Sequence, residues 1–195
     1  IVSGSVDSSL SIWNGDGTER AICSGHTNNV TSVGISADGN TIVSGSWDHT
    51  IRIWNGDGSE RAVCNGHTLV VKSVSMSADG NTIVSGSWDQ SVRIWNSNGT
   101  QRAVCRGHTG TVASVGISVD GQTIVSRSTD QTVRIWNGNG IQRNRINNKK
   151  YGFGSMCVSQ NGKLVVGNSD GTICTSDSSG TVIGEYKNYH ARNVT

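Results

Sequence analysis

The sequence predicts an all-β fold in which small antiparallel sheets are repeated along the chain. Composition is the first reason, because glycine accounts for 26 of the 195 residues, proline is absent, and only 15% of the residues are charged. Glycine and asparagine adopt the backbone angles of tight turns at low cost, so their even spread indicates many short strands. The second reason is a period of 41 residues that runs through the chain. Together these observations favour a repeat of four-stranded units.

Four residue types keep the 41-residue period in phase, which chance does not produce. They are Trp13, Trp54, Trp95 and Trp136; Asp7, Asp48, Asp89 and Asp130; His26, His67 and His108; and Cys23, Cys64 and Cys105. A period of about 40–45 residues with Gly-His and Trp signatures is typical of the four-stranded blades of a β-propeller. We therefore treat the chain as a single propeller domain or part of one. Its units are residues 1–24, 25–65, 66–106, 107–147 and 148–189, and residues 190–195 begin another unit.

Turn signals divide the second unit into four short segments, each a predicted strand. The first turn, "ADGN" (37–40), contains Asp-Gly, which favours a tight hairpin. The predicted strands are VTSVGIS (30–36), TIVSGS (41–46), IRIWN (51–55) and ERAVC (60–64). These lengths are usual for strands. A single sheet of this kind cannot cover its own two faces, so we expect neighbouring blades to pack against both of them.

The motifs resemble those of the WD-repeat β-propeller family over essentially the whole chain, and they are strong in three units. The family pattern is a Gly-His pair, a variable stretch, a Ser, a turn Asp, and a Trp-Asp pair that ends the third strand. On this match the Trp-Asp pair of the family is Trp54–Asn55, whereas Trp47–Asp48 is out of register. The resemblance therefore implies that Trp54 braces the blade and that Trp47 stands at its rim.

In that family a Trp, a Ser or Thr, a His and an Asp form a hydrogen-bonded network within each blade. The resemblance implies this structural role for His26, Ser44, Asp48 and Trp54; His67, Ser85, Asp89 and Trp95; His108, Ser126, Asp130 and Trp136; and Ser3, Asp7 and Trp13 in the first unit. Indole, hydroxyl, imidazole and carboxylate groups can satisfy one another in series. Such a network, when buried, stabilises the fold only if all its groups are satisfied.

The same Ser, His and Asp residues raise the alternative of a hydrolase triad. A catalytic site has no reason to recur every 41 residues, and the tryptophan gives each serine a structural partner. We therefore predict no catalytic residues and no enzyme activity. We expect no cofactor and no metal, because the "NGDG" turns lack the glutamate that ends a calcium loop. The five cysteines lack the spacing of a zinc site or a disulfide scaffold, so free thiols are expected.

By resemblance, partners of such propellers dock on one rim face, at three recurring positions of each unit. These are Asn29, Thr31 and Trp47; Val70, Lys72 and Trp88; Thr111, Ala113 and Thr129; and Val6 in the first unit. Exposed tryptophans on adjacent units are typical interface anchors. The alternative for Trp47 and Trp88 is that they pack on the loops of a neighbouring blade.

We predict a non-catalytic interaction scaffold that presents this rim or channel face to protein or peptide partners. The alternative is an architectural subunit of a large multi-protein or ribonucleoprotein assembly. No apolar run approaches the roughly 18 residues that span a bilayer, so no membrane partner is expected. The net charge is +2, and the basic stretch "RNRINNKK" (143–150) contains no aromatic residue, so a nucleic acid is expected only within an assembly. Free thiols favour an intracellular, cytoplasmic location.

The fifth unit departs from the pattern, because Lys149 stands at the His position and Ser176 at the Trp position. We expect it to be the least stable blade, since the network of the other units cannot form there. Residues "HARNVT" (190–195) echo "HTNNVT" (26–31), so His190 begins another unit. Propellers of the family more often have seven blades, and we expect this chain to be a segment of a larger, seven-bladed propeller.

Overall fold

The structure, a computed structural model, describes residues 1–147, 156–159, 162–167, 172–177 and 181–187. Within these ranges the chain forms 19 strands and no helix, so none of the described residues belongs to a helix that could span a membrane. The strands form five separate antiparallel sheets, and each sheet lies within one of the 41-residue units. The predicted all-β architecture of repeated antiparallel blades is confirmed.

The first two sheets are built from seven strands in chain order. They are β1 (Val2–Gly4), β2 (Ser9–Trp13) and β3 (Glu19–Ser24) in the first sheet, and β4 (Val30–Ile35), β5 (Thr41–Ser46), β6 (Ile51–Asn55) and β7 (Glu60–Cys64) in the second. The four strands of the second sheet begin at the residues that the turn signals predict. Each strand pairs with the next strand along the chain, because hairpin turns connect all of them.

The third, fourth and fifth sheets repeat this order with four strands each. They contain β8 (Val71–Met76), β9 (Thr82–Ser87), β10 (Val92–Asn96) and β11 (Gln101–Cys105); β12 (Val112–Ile117), β13 (Thr123–Ser128), β14 (Thr132–Asn137) and β15 (Gln142–Asn147); and β16 (Met156–Val158), β17 (Leu164–Gly167), β18 (Thr172–Ser176) and β19 (Val182–Lys187). Strand β5 and its counterparts β9 and β13 are buried along their whole length. In the second, third and fourth sheets, the second strand is therefore the centre of its blade.

The hydrophobic core lies between consecutive sheets rather than within one of them. Leu10 and Ile12 of the first sheet pack with Ile42 and Trp54 of the second. The same arrangement recurs between the second and third sheets and between the third and fourth, and aliphatic residues of the fourth and fifth sheets form a further cluster. Each blade thus covers one face of its neighbour, as expected for a repeat that cannot bury its own faces.

The first sheet has three strands, and it contains no counterpart of β4 among the described residues. Strand β1 occupies the place that β5 has in the second sheet, and it contacts β4 of that sheet. Residues 190–195, which were expected to begin another unit, lie outside the described residues. The expectation of a segment from a larger propeller therefore stays a prediction.

Glycine allows consecutive sheets to approach closely at one point of the central strand. A Cβ atom on Gly45 would lie 2.7 Å from Val71 Cγ1, and one on Gly86 would lie 2.5 Å from Val112 Cγ1. Arg127 occupies the equivalent position in the fourth sheet, where it is only 4% exposed. The fourth and fifth sheets must therefore meet through a different set of contacts.

We expect Gly86→Ala to destabilise the protein by about 1–3 kcal/mol, because the added methyl group would overpack the contact with β12. Gly15→Ala is the matched control, since no atom lies within 4 Å of a Cβ placed there. The free energy of unfolding from urea titrations distinguishes the two variants. Equal stability of the two alanine variants would show that the sheets do not meet closely at Gly86.

Candidate functional site

A buried chain of hydrogen bonds crosses each complete blade. In the second unit, Trp54 Nε1 donates to Ser44 Oγ at 2.9 Å, Ser44 Oγ lies 2.8 Å from His26 Nε2, and His26 Nδ1 lies 2.7 Å from Asp48 Oδ2. Ser44 is 0% exposed and Trp54 is 1% exposed. The chain connects the loop before β4, the central strand β5, the turn after it and strand β6.

The direction of the hydrogen bonds follows from which groups can donate. Trp54 can only donate, and the ionised Asp48 can only accept. His26 in its neutral form therefore carries its proton on Nδ1 and accepts at Nε2 from the Ser44 hydroxyl. Every group then has a partner, which is the condition for a buried polar network to stabilise the fold.

The structure brings together the corresponding residues of the third and fourth units with the same geometry. The distances are 2.9 Å for Trp95–Ser85, 2.8 Å for Ser85–His67, 2.7 Å for His67–Asp89, and 2.8 Å for each of Trp136–Ser126, Ser126–His108 and His108–Asp130. In all three units the histidine ring meets the tryptophan ring edge-on, with centroids 6.2–6.3 Å apart.

A further hydroxyl group, which was not among the predicted network residues, completes the network by binding the aspartate. Thr50 Oγ1 donates to Asp48 Oδ1 at 2.6 Å, and the backbone N–H groups of Thr50 and Thr27 also donate to this carboxylate. The counterparts of Thr50 in the next units are Ser91 and Thr132. All three hydroxyls obey the 41-residue period, so that period is the signal that could have identified them.

These donors control the ionisation of the aspartates. Burial acts to raise the pKa of Asp48, but the hydrogen bonds from Thr50, His26 and the backbone outweigh it and lower the pKa to about 2. The same causes lower the pKa of Asp130 to about 2 and hold the pKa of Asp89 well below its ordinary value. The three carboxylates are therefore ionised across the physiological range.

The histidines are neutral in the folded protein for a different reason. Burial lowers the pKa of the His26 imidazole below its ordinary value, although the hydrogen bond and charge of Asp48 act in the opposite direction. The same balance lowers the pKa of His67 and of His108. Neutral imidazole is the form that the network needs, because its Nε2 must accept a hydrogen bond from the serine hydroxyl.

In the first unit the described residues supply only part of this network. Trp13 Nε1 donates to Ser3 Oγ at 2.8 Å, but Ser3 is exposed and no histidine of the described chain reaches it. Asp7 is exposed and accepts from the hydroxyl and the backbone N–H of Ser9. Lys149, at the histidine position of the fifth unit, and His190, which begins another unit, lie outside the described residues.

The Ser-His-Asp geometry is that of a hydrolase triad, but the surroundings of the serines are not. Ser44, Ser85 and Ser126 are each 0% exposed. Each oxygen already accepts a hydrogen bond from a tryptophan indole, and no substrate carbonyl can approach it in the folded state. In this arrangement the aspartate and histidine orient a structural hydroxyl rather than activate a nucleophile.

The second candidate set lies at the end of the blades formed by the turns after β5, β9 and β13 and by the loops before β4, β8 and β12. We call this end the upper face. Trp47 and Trp88 occupy two adjacent turns, each is 42% exposed, and their ring centroids are 6.0 Å apart with an interplanar angle of 52°. The two indoles therefore contact each other across neighbouring blades and stay open to solvent.

Backbone hydrogen bonds fix these turns to the loops of the same blade. The N–H of Trp47 donates to the carbonyl of Asn29 at 3.0 Å, and that of Trp88 donates to the carbonyl of Val70 at 3.0 Å. The N–H of Thr129 makes the equivalent bond to Thr111 at 2.9 Å. The upper face is thus built on ordered turns, each attached to the aspartate of a buried network.

Two members of the predicted contact set need correction. The side chain of Val70 is buried, with 7% exposed, because it faces the core, and the exposed apolar residue of this loop is Leu69 at 45%. Thr31 is half-buried, and its hydroxyl lies 2.9 Å from the carbonyl of Gly45 and 2.6 Å from that of Val71 in the next blade. Thr31 therefore connects blades. The motif spacing carries no signal that distinguishes Leu69 from Val70.

The other predicted contact positions differ in exposure. Lys72, Thr129 and Val6 are exposed, whereas Asn29, Thr111 and Ala113 are partly buried. Thr31, Lys72 and Ala113 each stand at a register shift between the first two strands of their sheet. A bulge changes the direction of a side chain, but because it recurs at all three positions it does not account for their different exposure.

Three cysteines are buried in the described part of the chain, and Cys157 is exposed. Cys64 and Cys105 are buried as free thiols, and burial raises the pKa of each to about 12. Cys23 is buried in the same way, and burial raises its pKa as well. Among the described residues, no three His, Cys, Asp or Glu side chains converge to hold a metal ion.

Comparison with known proteins matches the three complete units to a single family. The model described as WD domain, G-beta repeat matches residues 17–55, 58–96 and 99–137. These matches together cover more than half of the chain, and each ends at the Asn that follows the buried tryptophan. No curated protein matches the chain.

We expect Trp54→Phe to lower the free energy of unfolding by about 1–3 kcal/mol, because it leaves a buried serine without its donor. Trp47→Phe is the matched control and should have a much smaller effect, since the Trp47 indole is half exposed and stands outside the network. Urea titrations monitored by far-UV circular dichroism measure both. Equal destabilisation by the two substitutions would contradict the assignment of the network.

We expect the protein to lose stability as the pH falls below about 6.5, because the unfolded chain then binds protons that the buried histidines do not. A second loss should follow below pH 3.8, as the pH approaches the value of about 2 at which Asp48 and Asp130 are protonated in the folded protein. Urea midpoints measured from neutral to acidic pH test this order. Asp38→Asn removes a carboxylate from an exposed hairpin and is the control. This variant should lose stability below about pH 6.5 in the same way as the parent protein. A midpoint unchanged between neutral pH and pH ~5 would contradict the prediction.

Proposed function

The chain belongs to the WD-repeat family, and on that premise we propose that it is an interaction scaffold whose upper face binds a protein or peptide partner. Repeats of this family generally serve as protein-interaction scaffolds and are typically non-catalytic. The observation that carries the proposal is the exposed pair Trp47 and Trp88. Large aromatic side chains that stay open to solvent on adjacent turns are the usual anchors of protein interfaces.

The position of the pair supports a binding role over a structural one. Trp54 and Trp95, the buried tryptophans of the same two units, already provide the core contact between blades. Trp47 and Trp88 precede the network aspartates, and each remains 42% exposed. Neither indole N–H donates a hydrogen bond within the described residues, so each is available to a carbonyl group of a partner.

The surroundings of the pair indicate the chemistry of the partner. Leu69 and Val6, which are 45% and 77% exposed, add apolar surface at the same end of the blades. Lys72 is the cationic residue in this set. The face therefore suits a segment with apolar side chains that insert beside the indoles and with backbone carbonyls that accept their N–H groups.

The rigidity of the turns supports the same proposal. Trp47 follows the buried strand β5 and precedes Asp48, which accepts hydrogen bonds from four groups of its own blade. A partner therefore meets side chains whose backbone is already ordered. Preorganised contact residues lose less conformational entropy on binding, which strengthens an interface of a given size.

Selection of peptides from a displayed library on the immobilised chain tests the proposal. We expect Trp47→Ala combined with Trp88→Ala to weaken the selected peptides by about tenfold or more, as expected when interface anchors are truncated. The matched control is Ile22→Ala combined with Ile141→Ala, which removes exposed apolar side chains elsewhere. Peptides that bind the double tryptophan variant as tightly as the parent would show that the upper face is not the binding surface.

A further inference from the structure

The units differ in charge in a way that the repeat itself does not require. Residues 25–65 contain two arginines and four carboxylates, whereas residues 66–106 and residues 107–147 each contain four cationic residues and two carboxylates. The formal charge therefore changes from −2 in the second unit to +2 in each of the next two. The difference is greatest near the outer strand of each sheet.

One recurring arginine shows how the difference arises. The third strand of each complete blade carries an arginine that contacts the first residue of the outermost strand. The three contacts are Arg52–Glu60, Arg93–Gln101 and Arg134–Gln142. The first is an ion pair, whereas a glutamine side chain accepts a hydrogen bond without neutralising the charge. The third and fourth units thus keep the arginine and lack the carboxylate that accompanies it in the second.

Further arginines add to the positive charge in these two units. Burial is the main cause that lowers the pKa of Arg93, and the nearby charge of Arg106 lowers this pKa further. Burial and the charge of Arg145 have the same effects on the pKa of Arg134. The network aspartate of each unit acts in the opposite direction, but it already accepts hydrogen bonds from its histidine and from a hydroxyl group. The strand register places Arg134 opposite Arg145 and places Arg93 opposite Val104, two residues before Arg106. Two like-charged arginine pairs therefore lie on adjacent blades.

The two pairs form one continuous surface. Arg106 directly precedes Gly107, and the carbonyl of Gly107 accepts a hydrogen bond from Arg134 Nη2 at 2.7 Å. Arg106 and Arg145 are exposed. The Nε atoms of Arg93 and Arg134 are buried and have no hydrogen-bond partner in the described structure. We call the surface formed by Arg93, Arg106, Arg134 and Arg145 the arginine edge.

The arginine edge runs beside free strand edges. β11 and β15 are the outermost strands of their sheets, and within the described chain each pairs on one side only, with β10 and β14 respectively. An outermost strand offers both N–H donors and C=O acceptors along its open side. These groups complement the backbone of an extended polypeptide.

We propose that the arginine edge is a second binding surface, separate from the upper face, and that it binds an acidic polypeptide segment rich in aspartate and glutamate. Carboxylates of such a segment supply the counter-charge that Glu60 supplies to Arg52 in the second unit. Its backbone can pair with the open side of β11 or β15. A nucleic acid fits less well, because its backbone has no N–H donors and no aromatic residue stands on these strands for base stacking.

The test uses the whole 195-residue chain and a fluorescein-labelled poly-glutamate peptide, with binding followed by fluorescence anisotropy. We expect Gln101→Glu combined with Gln142→Glu to weaken binding by about tenfold at ionic strength near 0.15 M, where exposed charges still interact within about 8 Å. These substitutions recreate the Arg52–Glu60 pair, so the melting temperature should not fall. Arg106→Gln combined with Arg145→Gln should weaken binding in the same way, because both side chains are exposed.

Asn14→Asp combined with Asn40→Asp is the matched control, since it adds the same two charges at exposed sites outside both the arginine edge and the upper face. This variant should bind the peptide like the parent. No binding by the parent chain, or equal weakening by the control, would overturn the proposal. Tighter binding of an oligothymidine with the same number of charges, lost in the Gln101→Glu and Gln142→Glu variant, would assign the surface to nucleic acid instead. Because neither tryptophan of the upper face is altered, the result is independent of the function proposed there.

Discussion

The structure depends on a single hydroxyl group at the centre of each complete blade. Ser44 accepts a hydrogen bond from Trp54 and donates one to His26, so its oxygen and its one hydrogen are both used. The histidine in turn donates to Asp48, which begins the turn of the upper face. Two strands and two connections of the blade are thus joined by four side chains, each with a fixed role as donor or acceptor. Removing any one group leaves a buried polar atom without a partner, which is why the blade tolerates little variation there.

The period of the sequence is sufficient to predict the strands and the members of this network. A 41-residue repeat places equivalent residues in equivalent positions, and the turn residues mark where the strands end. The exposure of Val70 and Thr31 could not be predicted in this way. The direction of the Thr31 side chain depends on a local bulge and on a contact with the next blade, and that of Val70 depends on packing in the core. None of these is visible in the sequence of one unit. Leu69 was missed because the loop that holds it has no regular pattern.

Buried and exposed positions differ in how strictly they keep the period. The residues of the buried network, such as Trp54, keep it in all complete units and hold the blades together. Many of the departures from it lie outside, as with Glu60 in the second unit and Gln101 in the third. Arg127 is a departure within the core of the fourth unit. What distinguishes this chain from a uniform array is therefore found mainly on its surface, and at this one position of its core.

The glycine of the central strand limits how the units can be rearranged. Gly45 and Gly86 leave room for valine side chains of the following blade, so the second and third units make the same junction. Arg127 fills that space in the fourth unit. A gene duplication could insert a further copy of the second or third unit between them without creating a new junction. A copy of the third unit placed after the fourth would bring its valines against a buried guanidinium. The order of the blades is therefore part of what the sequence encodes, and the units are not exchangeable modules.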